Sequence, residues 1–189
     1  MLRFIYMTLV FSIGIGMHCN AVPNSWDALI SLRQQCEPQC QVQWSDPPEE
    51  LLNITWEGEK GRRLLEEEEG HPVLLHFWAP WCTSCVAEMP MLDELAKALT
   101  KQGYAVVAVS VDYRGLPVIK DFYTKHAIEH LSIGLDPKNQ LYEQLKLKGM
   151  PVTLIIDRQG NEVARLAGNI DWQHVGLKEW LLALTKPPI

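Results

Sequence analysis

Two cysteines three positions apart, Cys82 and Cys85 in the stretch Trp81-Cys82-Thr83-Ser84-Cys85, are the residues of this chain best equipped for chemistry. Thiols at that spacing can cycle between dithiol and disulfide. The reactive form is the thiolate, which needs a neighbour that lowers the thiol pKa. Sequence position supplies one. Pro72 to Ala79 is a continuous apolar, β-leaning run, and from residue 83 apolar side chains recur with helical spacing at Val86, Met89, Leu92, Leu95, Ala96 and Leu99 until Gly103 ends the helix. Cys82 therefore falls where strand gives way to helix, with its sulfur at the unpaired amides and positive dipole end of that helix. Cys85, one turn on, is the more buried sulfur and the one placed to resolve mixed disulfides made by Cys82. An inert disulfide or half of a zinc site is the alternative. Zinc would want two further Cys or His ligands at comparable spacing, and the only other close cysteine pair lies more than forty residues upstream with a different spacing.

The elements that must hold this pair alternate. After the run at Pro72–Ala79 and the helix over 83–101, the pattern predicts a buried strand at Tyr104–Val111, a helix at Leu116–His126 and a short strand at Leu131–Leu135. A helix at Asn139–Leu147 follows. Pro151–Asp157 and Glu162–Ala167 read as a hairpin turned by Asp157-Arg158-Gln159-Gly160, and an amphipathic helix over Trp172–Leu184 closes the chain. Upstream, Leu51–Trp56 reads as a short strand and Glu57-Gly58-Glu59-Lys60-Gly61 as a turn, while Glu66–Glu69 is a solvated loop or helix face. A helix over Ser25–Gln35 can be capped by Asn24 or Ser25. Strand–helix alternation ending in a hairpin and a helix implies an α/β fold with a central mixed sheet flanked by helices on both faces. No internal repeat or low-complexity segment is present.

Composition narrows the classes. The chain has 189 residues, 47% of them hydrophobic and 21% charged, which suits one globular domain with an appendage. Its formal net charge is −6, with Lys and Arg scattered, so the basic stripe of a nucleic-acid binder is missing. Arg3 followed by the apolar run Phe4–Met17 is a signal-peptide pattern, short of the ~20 residues a spanning helix needs. Cys19-Asn20-Ala21 places cleavage after Ala21, giving a signal peptide at 1–21, an N-terminal extension at 22–50 and the main domain at 51–186. Left uncleaved, the same segment would be a membrane anchor. Lipid attachment to Cys19 is disfavoured by Met17 and His18, where Gly or Ala is usual. Once Cys19 leaves, an even four cysteines remain, as suits an exported, oxidising compartment such as the periplasm.

The stretch His76-Phe77-Trp78-Ala79-Pro80-Trp81-Cys82-Thr83-Ser84-Cys85 with Pro90 resembles the thioredoxin superfamily, and Glu88-Met89-Pro90-Met91-Leu92 narrows the likeness to its exported TlpA/ResA/DsbE-like branch. Val109-Ser110-Val111-Asp112, Gly149-Met150-Pro151-Val152-Thr153 and Asp157-Arg158-Gln159-Gly160 extend the likeness over about residues 50–186. The resemblance implies a thioredoxin-like three-layer fold with an inserted βα element at 113–136. It makes Pro151 a cis-proline against the active-site disulfide, presenting the backbone of Met150 to a partner peptide. Glu88, one turn beyond Cys85 on the same helix face, is close enough to influence its titration or relay a proton, and the resemblance favours that role over an exposed helical glutamate. His76 stands where thioredoxins bury an acid, either as a proton carrier or as a satisfied core residue. Trp81 is expected in an exposed docking surface and Trp78 in the core.

The activity implied is that of a reductase of client protein disulfides, in cytochrome c maturation or at copper-site proteins, fed by a membrane thiol electron donor. An oxidase or isomerase of the same fold, or a copper(I)-binding chaperone, is the alternative. Peroxide reduction fits the Trp-Cys-X-X-Cys context poorly. No cofactor, resident metal or nucleic acid is expected. The second pair, Cys36 and Cys40, lies outside the resemblance and is read as a structural disulfide, a redox partner of Cys82 or a copper(I) thiolate site.

Overall fold

The structure, a computed structural model, describes residues 40–184 and the single residue Gln34. The expected signal segment, Cys36 and the side chain of Cys40 lie outside the described residues, as does the Ser25–Gln35 helix apart from Gln34.

The buried run expected at Pro72–Ala79 is strand β4 (Val73–Trp78), every residue of it buried. Around it the described residues form β1 (Cys40–Glu50), β2 (Thr55–Gly58), β3 (Gly61–Leu64), β5 (Ala105–Ser110), β6 (Ser132–Leu135), β7 (Val152–Ile156) and β8 (Asn161–Gly168). They make one sheet in the order β1-β8-β7-β4-β5-β6-β2-β3. β4, β5 and β6 run parallel, which requires crossovers, and α1 (Thr83–Thr100) and α2 (Leu116–His126) supply them. The remaining pairings are antiparallel. α3 (Gln140–Gln144) and α4 (Val175–Ala183) complete the layers.

Alternation along β4 divides the core. Leu74 and Trp78 pack with Met89, Leu92 and Leu99 of α1, while Leu75 and Phe77 pack on the opposite face with Leu141 of α3. His76 shares the parity of Leu74 and Trp78 and so lies on the α1 face. The inserted element is present as α2 and β6. It is tied to α1 by Asp93, whose carboxylate accepts from the backbone N–H groups of Glu129, His130 and Leu131.

Several element boundaries differ from expectation, each for a local reason. The strand expected at Leu51–Trp56 is interrupted by Asn53 in the left-handed region (φ 56°), so β2 begins at Thr55. The turn expected over Glu57–Gly61 shrinks to Glu59-Lys60, and its flanks are strand. The helix expected at Asn139–Leu147 is shorter because Lys146 adopts φ 52°: its N–H bonds the Glu143 carbonyl and the Leu147 N–H bonds that of Tyr142, closing the helix. A lysine gives no hint of a cap that glycine usually makes. The last helix starts at Val175, not Trp172, because His174 accepts from the Leu177 N–H as its cap. Trp172 is thereby left free of the helix and buried. Finally, the end of the expected extension pairs with β8 as edge strand β1, burying Val42 and shifting register around Pro47-Pro48.

Candidate functional site

Cys82 is the N-cap of α1, in extended conformation, and its sulfur accepts from the Cys85 N–H at 3.3 Å. A sulfur thus stands where Ser or Asp usually caps, held at the positive end of an 18-residue helix whose first turn carries no carboxylate. β4 sets this position, since the Cys82 N–H bonds the Ala79 carbonyl just beyond the strand end. Cys82 and Cys85 form a disulfide with Cα atoms 5.3 Å apart. Cys82 is half-buried with the Ser84 hydroxyl 3.5 Å from its sulfur, whereas Cys85 is buried in the core. Only the first sulfur is reachable by a large partner.

The other expected site residues divide between a surface and an interior. Trp81 is 61% exposed beside Cys82. The Met150–Pro151 peptide bond is cis, and the Pro151 carbonyl accepts from the Gly168 N–H at 2.9 Å. Both lie at the end of the sheet where β4 runs out and β7 begins. Tyr113, in the loop leaving β5 at that same end, is 80% exposed and was not singled out by sequence reasoning. Trp78 is in the core as expected.

Beneath the disulfide, His76 and Glu88 are both fully buried, their Nε2 and Oε1 atoms 3.6 Å apart. Glu88 lies one turn after Cys85 in the stripe that continues through Met89 and Leu92, so it enters the core and does not face solvent. Its Oε2 accepts from the Ile170 N–H at 3.1 Å. Burial pushes the Glu88 carboxyl up to about 8, against the pull of that donor and of the Trp172 indole N–H, which falls short of a well-formed hydrogen bond. Burial takes His76 down to about 3. Its Nδ1 is 2.9 Å from the Thr153 hydroxyl of β7, and its ring lies nearly perpendicular to that of Trp172, 6.2 Å between centroids. Thr153 closes a motif quoted above but was given no role there, and Ile170 and Trp172 were not expected at the site. The available signal was strand parity, which puts His76 on the α1 face.

Among the described residues no cluster of three or more His, Cys, Asp or Glu is arranged to hold a metal. The Cys36–Cys40 pair falls outside the described residues.

A cysteine disulfide capping the helix that leaves a central parallel strand, opposite a cis-proline, on a mixed sheet covered by helices, defines a thioredoxin-like protein. The chain belongs to the AhpC/TSA family, whose match spans residues 49–164, more than half its length. Among curated relatives it is 31% identical over 114 residues to the thiol-disulfide oxidoreductase ResA of Oceanobacillus iheyensis, covering 60% of this chain and 58% of that protein. To ResA of Geobacillus kaustophilus it is 31% identical over 106 residues, covering 56% and 60%. The match thus spans less than two thirds of these relatives. Among solved structures, a protein assigned as the thiol:disulfide interchange protein DsbE from Chlorobium tepidum superposes with TM-score 0.66 at 27% identity, over 74% of this chain and 97% of that one. An exposed lipoprotein thioredoxin from Streptococcus pneumoniae gives 0.57 at 27%, over 68% and 97%.

Proposed function

We propose that the protein is an exported thiol–disulfide oxidoreductase acting as a reductase of client protein disulfides. One observation carries the reading: a half-buried sulfur caps α1 while its partner is sealed in the core. In the reduced protein the Cys82 thiolate, favoured by the helix terminus, attacks a client disulfide, forming a mixed disulfide and expelling one client thiolate. Cys85 gives its proton to the Glu88–His76 pair and attacks the Cys82 sulfur. The second client thiolate leaves, and the Cys82–Cys85 disulfide seen here remains. The client gains two electrons and the protein loses two, to be restored by a membrane thiol donor. Trp81 and the backbone of Met150 beside Pro151 receive the client chain.

The names of the curated relatives support the activity, and the exposed lipoprotein among the structural neighbours supports export. By the resemblance of its motifs to the TlpA/ResA/DsbE-like branch, the clients in this reading are proteins of cytochrome c maturation or copper-site proteins. In this reading residues 1–21 direct export and 22–50 form an extension whose end completes the sheet. Cys36 and Cys40 form a structural disulfide, and 51–186 carry the redox chemistry. A reduction potential well below that of strong oxidants separates this reading from an oxidase or isomerase of the same fold.

The test is capture in the exporting cell. Cys85→Ser should accumulate a client joined to Cys82 and released by reductant, and the additional change Cys82→Ser should abolish the adduct. Absence of any adduct, together with failure of the wild type to reduce a model disulfide, would refute the reading.

A further inference from the structure

Buried charge is compensated everywhere among the described residues except at one pair. Asp93 accepts from three backbone N–H groups, Asp136 accepts from those of Gln140 and Tyr142, and Asp112 and Glu162 are paired with Arg114 and Arg165. His76 and Glu88 instead confront each other through Nε2 and Oε1, two fully buried atoms without a hydrogen-bond partner. The polar groups around them come from every neighbouring element: Cys85 from α1, Thr153 from β7, and the Ile170 N–H and Trp172 indole from the segment before α4.

The donor inventory fixes where the hydrogens are. Oε2 of Glu88 accepts from the Ile170 N–H, as the carbonyl oxygen of a neutral carboxyl does, and with the Trp172 indole N–H short of a well-formed bond the hydroxyl is assigned to Oε1, 3.6 Å from Nε2. A donor on Oε1 requires a lone pair on Nε2. A neutral imidazole with a lone pair on Nε2 carries its hydrogen on Nδ1, and the group 2.9 Å from Nδ1 is the Thr153 hydroxyl. We propose that Thr153 is a positioning residue for the proton step: by accepting from Nδ1–H it holds His76 in the tautomer whose Nε2 lone pair faces Glu88.

The proposal rests on the site reading above and deepens it. At rest the pair holds one proton, on Glu88. When Cys85 attacks the mixed disulfide, its thiol proton passes to the fraction of Glu88 that is ionised near neutral pH, and the neutral carboxyl so formed faces the Nε2 lone pair with its hydroxyl. The Cys82–client bond breaks, the Cys82–Cys85 bond forms, and the client sulfur leaves as a thiolate that water protonates. His76 stays neutral throughout, its Nδ1–H held by Thr153, and Glu88 releases the proton to solvent before the next turnover. Without an acceptor at position 153 the ring reverts to the Nε2–H tautomer, which faces Glu88 with a donor, favours its ionised form and weakens it as a base for the Cys85 proton.

Nitrogen-15 NMR of the imidazole, with the pH profile of mixed-disulfide resolution, tests this. The wild type and Thr153→Ser should show the Nδ1–H tautomer, with resolution rates within about twofold of each other. Thr153→Val should show Nε2–H and resolve about tenfold more slowly near neutral pH, a fraction of what general acid–base catalysis is typically worth. An Nε2–H tautomer in the wild type overturns the proposal whether or not any variant folds, and so does a Thr153→Val protein with an unchanged pH profile. The site reading fails separately, through Cys82→Ser: if that variant still turned over a disulfide, the site would be wrong and the proposal would fall with it, though the tautomer would be read all the same.

Discussion

At the scale of single residues, the proposed chemistry is divided between a half-buried sulfur and a fully buried His76–Glu88 pair. Cys82 and Cys85 were legible in the sequence because their spacing and their place at a strand-to-helix junction carry the physics directly. Glu88 and His76 were legible only as positions. Their contact depends on which face of β4 and which stripe of α1 meet, and their hydrogen-bond partners, Thr153 and Ile170, come from segments far along the chain. The pair makes stability depend on pH in a defined way. Glu88, raised by burial from 4.5 to about 8, keeps its proton in the folded protein over a range where the unfolded chain has released it, so its stabilisation is lost as pH rises through that range. His76, lowered from 6.5 to about 3, has the opposite sign: its contribution is present above 6.5 and is lost as pH falls towards 3. Between 4.5 and 6.5 the two slopes cancel, and from 6.5 to 8 only the Glu88 decline remains. Glu88→Gln should therefore abolish the decline between pH 6.5 and 8 and uncover a rise of up to about 1.4 kcal/mol per pH unit below it. Urea midpoints measured across that range check this, and an unaltered profile would show that the pair does not titrate as described.

At the scale of elements, α1 does two jobs: its first turn holds the sulfur and its middle anchors the inserted α2–β6 unit. Asp93 makes the second connection through the backbone of residues 129–131, near the start of β6. Replacing it with alanine strands buried donors, and Asp93→Ala should cost about 3 kcal/mol in urea unfolding while leaving the reactivity of Cys82 unchanged. A loss within experimental error would mean that solvent reaches those amides. Long periodic segments such as α1 and β4 were readable from apolar spacing alone. The short ones were not, since α3 is ended by a lysine in a left-handed turn and β2 is delayed by Asn53. Backbone conformations that favour glycine but are occupied by other residues leave no mark in composition.

At the scale of the whole molecule, the alternation of strands and helices was enough to give a mixed sheet with helices on both faces. The antiparallel edge was not evident, because β1 acquires its hydrophobic partner only when β8 is already in place beside it. A chain begun at Leu51 would leave the edge of β8 unpaired and lose the buried Val42, and should be about 2 kcal/mol less stable than one begun at Val22. Thermal unfolding of the two forms checks this, and equal midpoints would make β1 an ornament of the sheet. The proposed activity requires the Cys82 sulfur to be held as an anion at the start of α1 in the reduced protein. Alkylation of the reduced protein, followed as rate against pH in a Cys85→Ser background, measures that ionisation directly. A midpoint at least about one pH unit below the roughly 8.5 of a free cysteine is expected, and a midpoint at or above that value would contradict a thiolate held by the helix terminus.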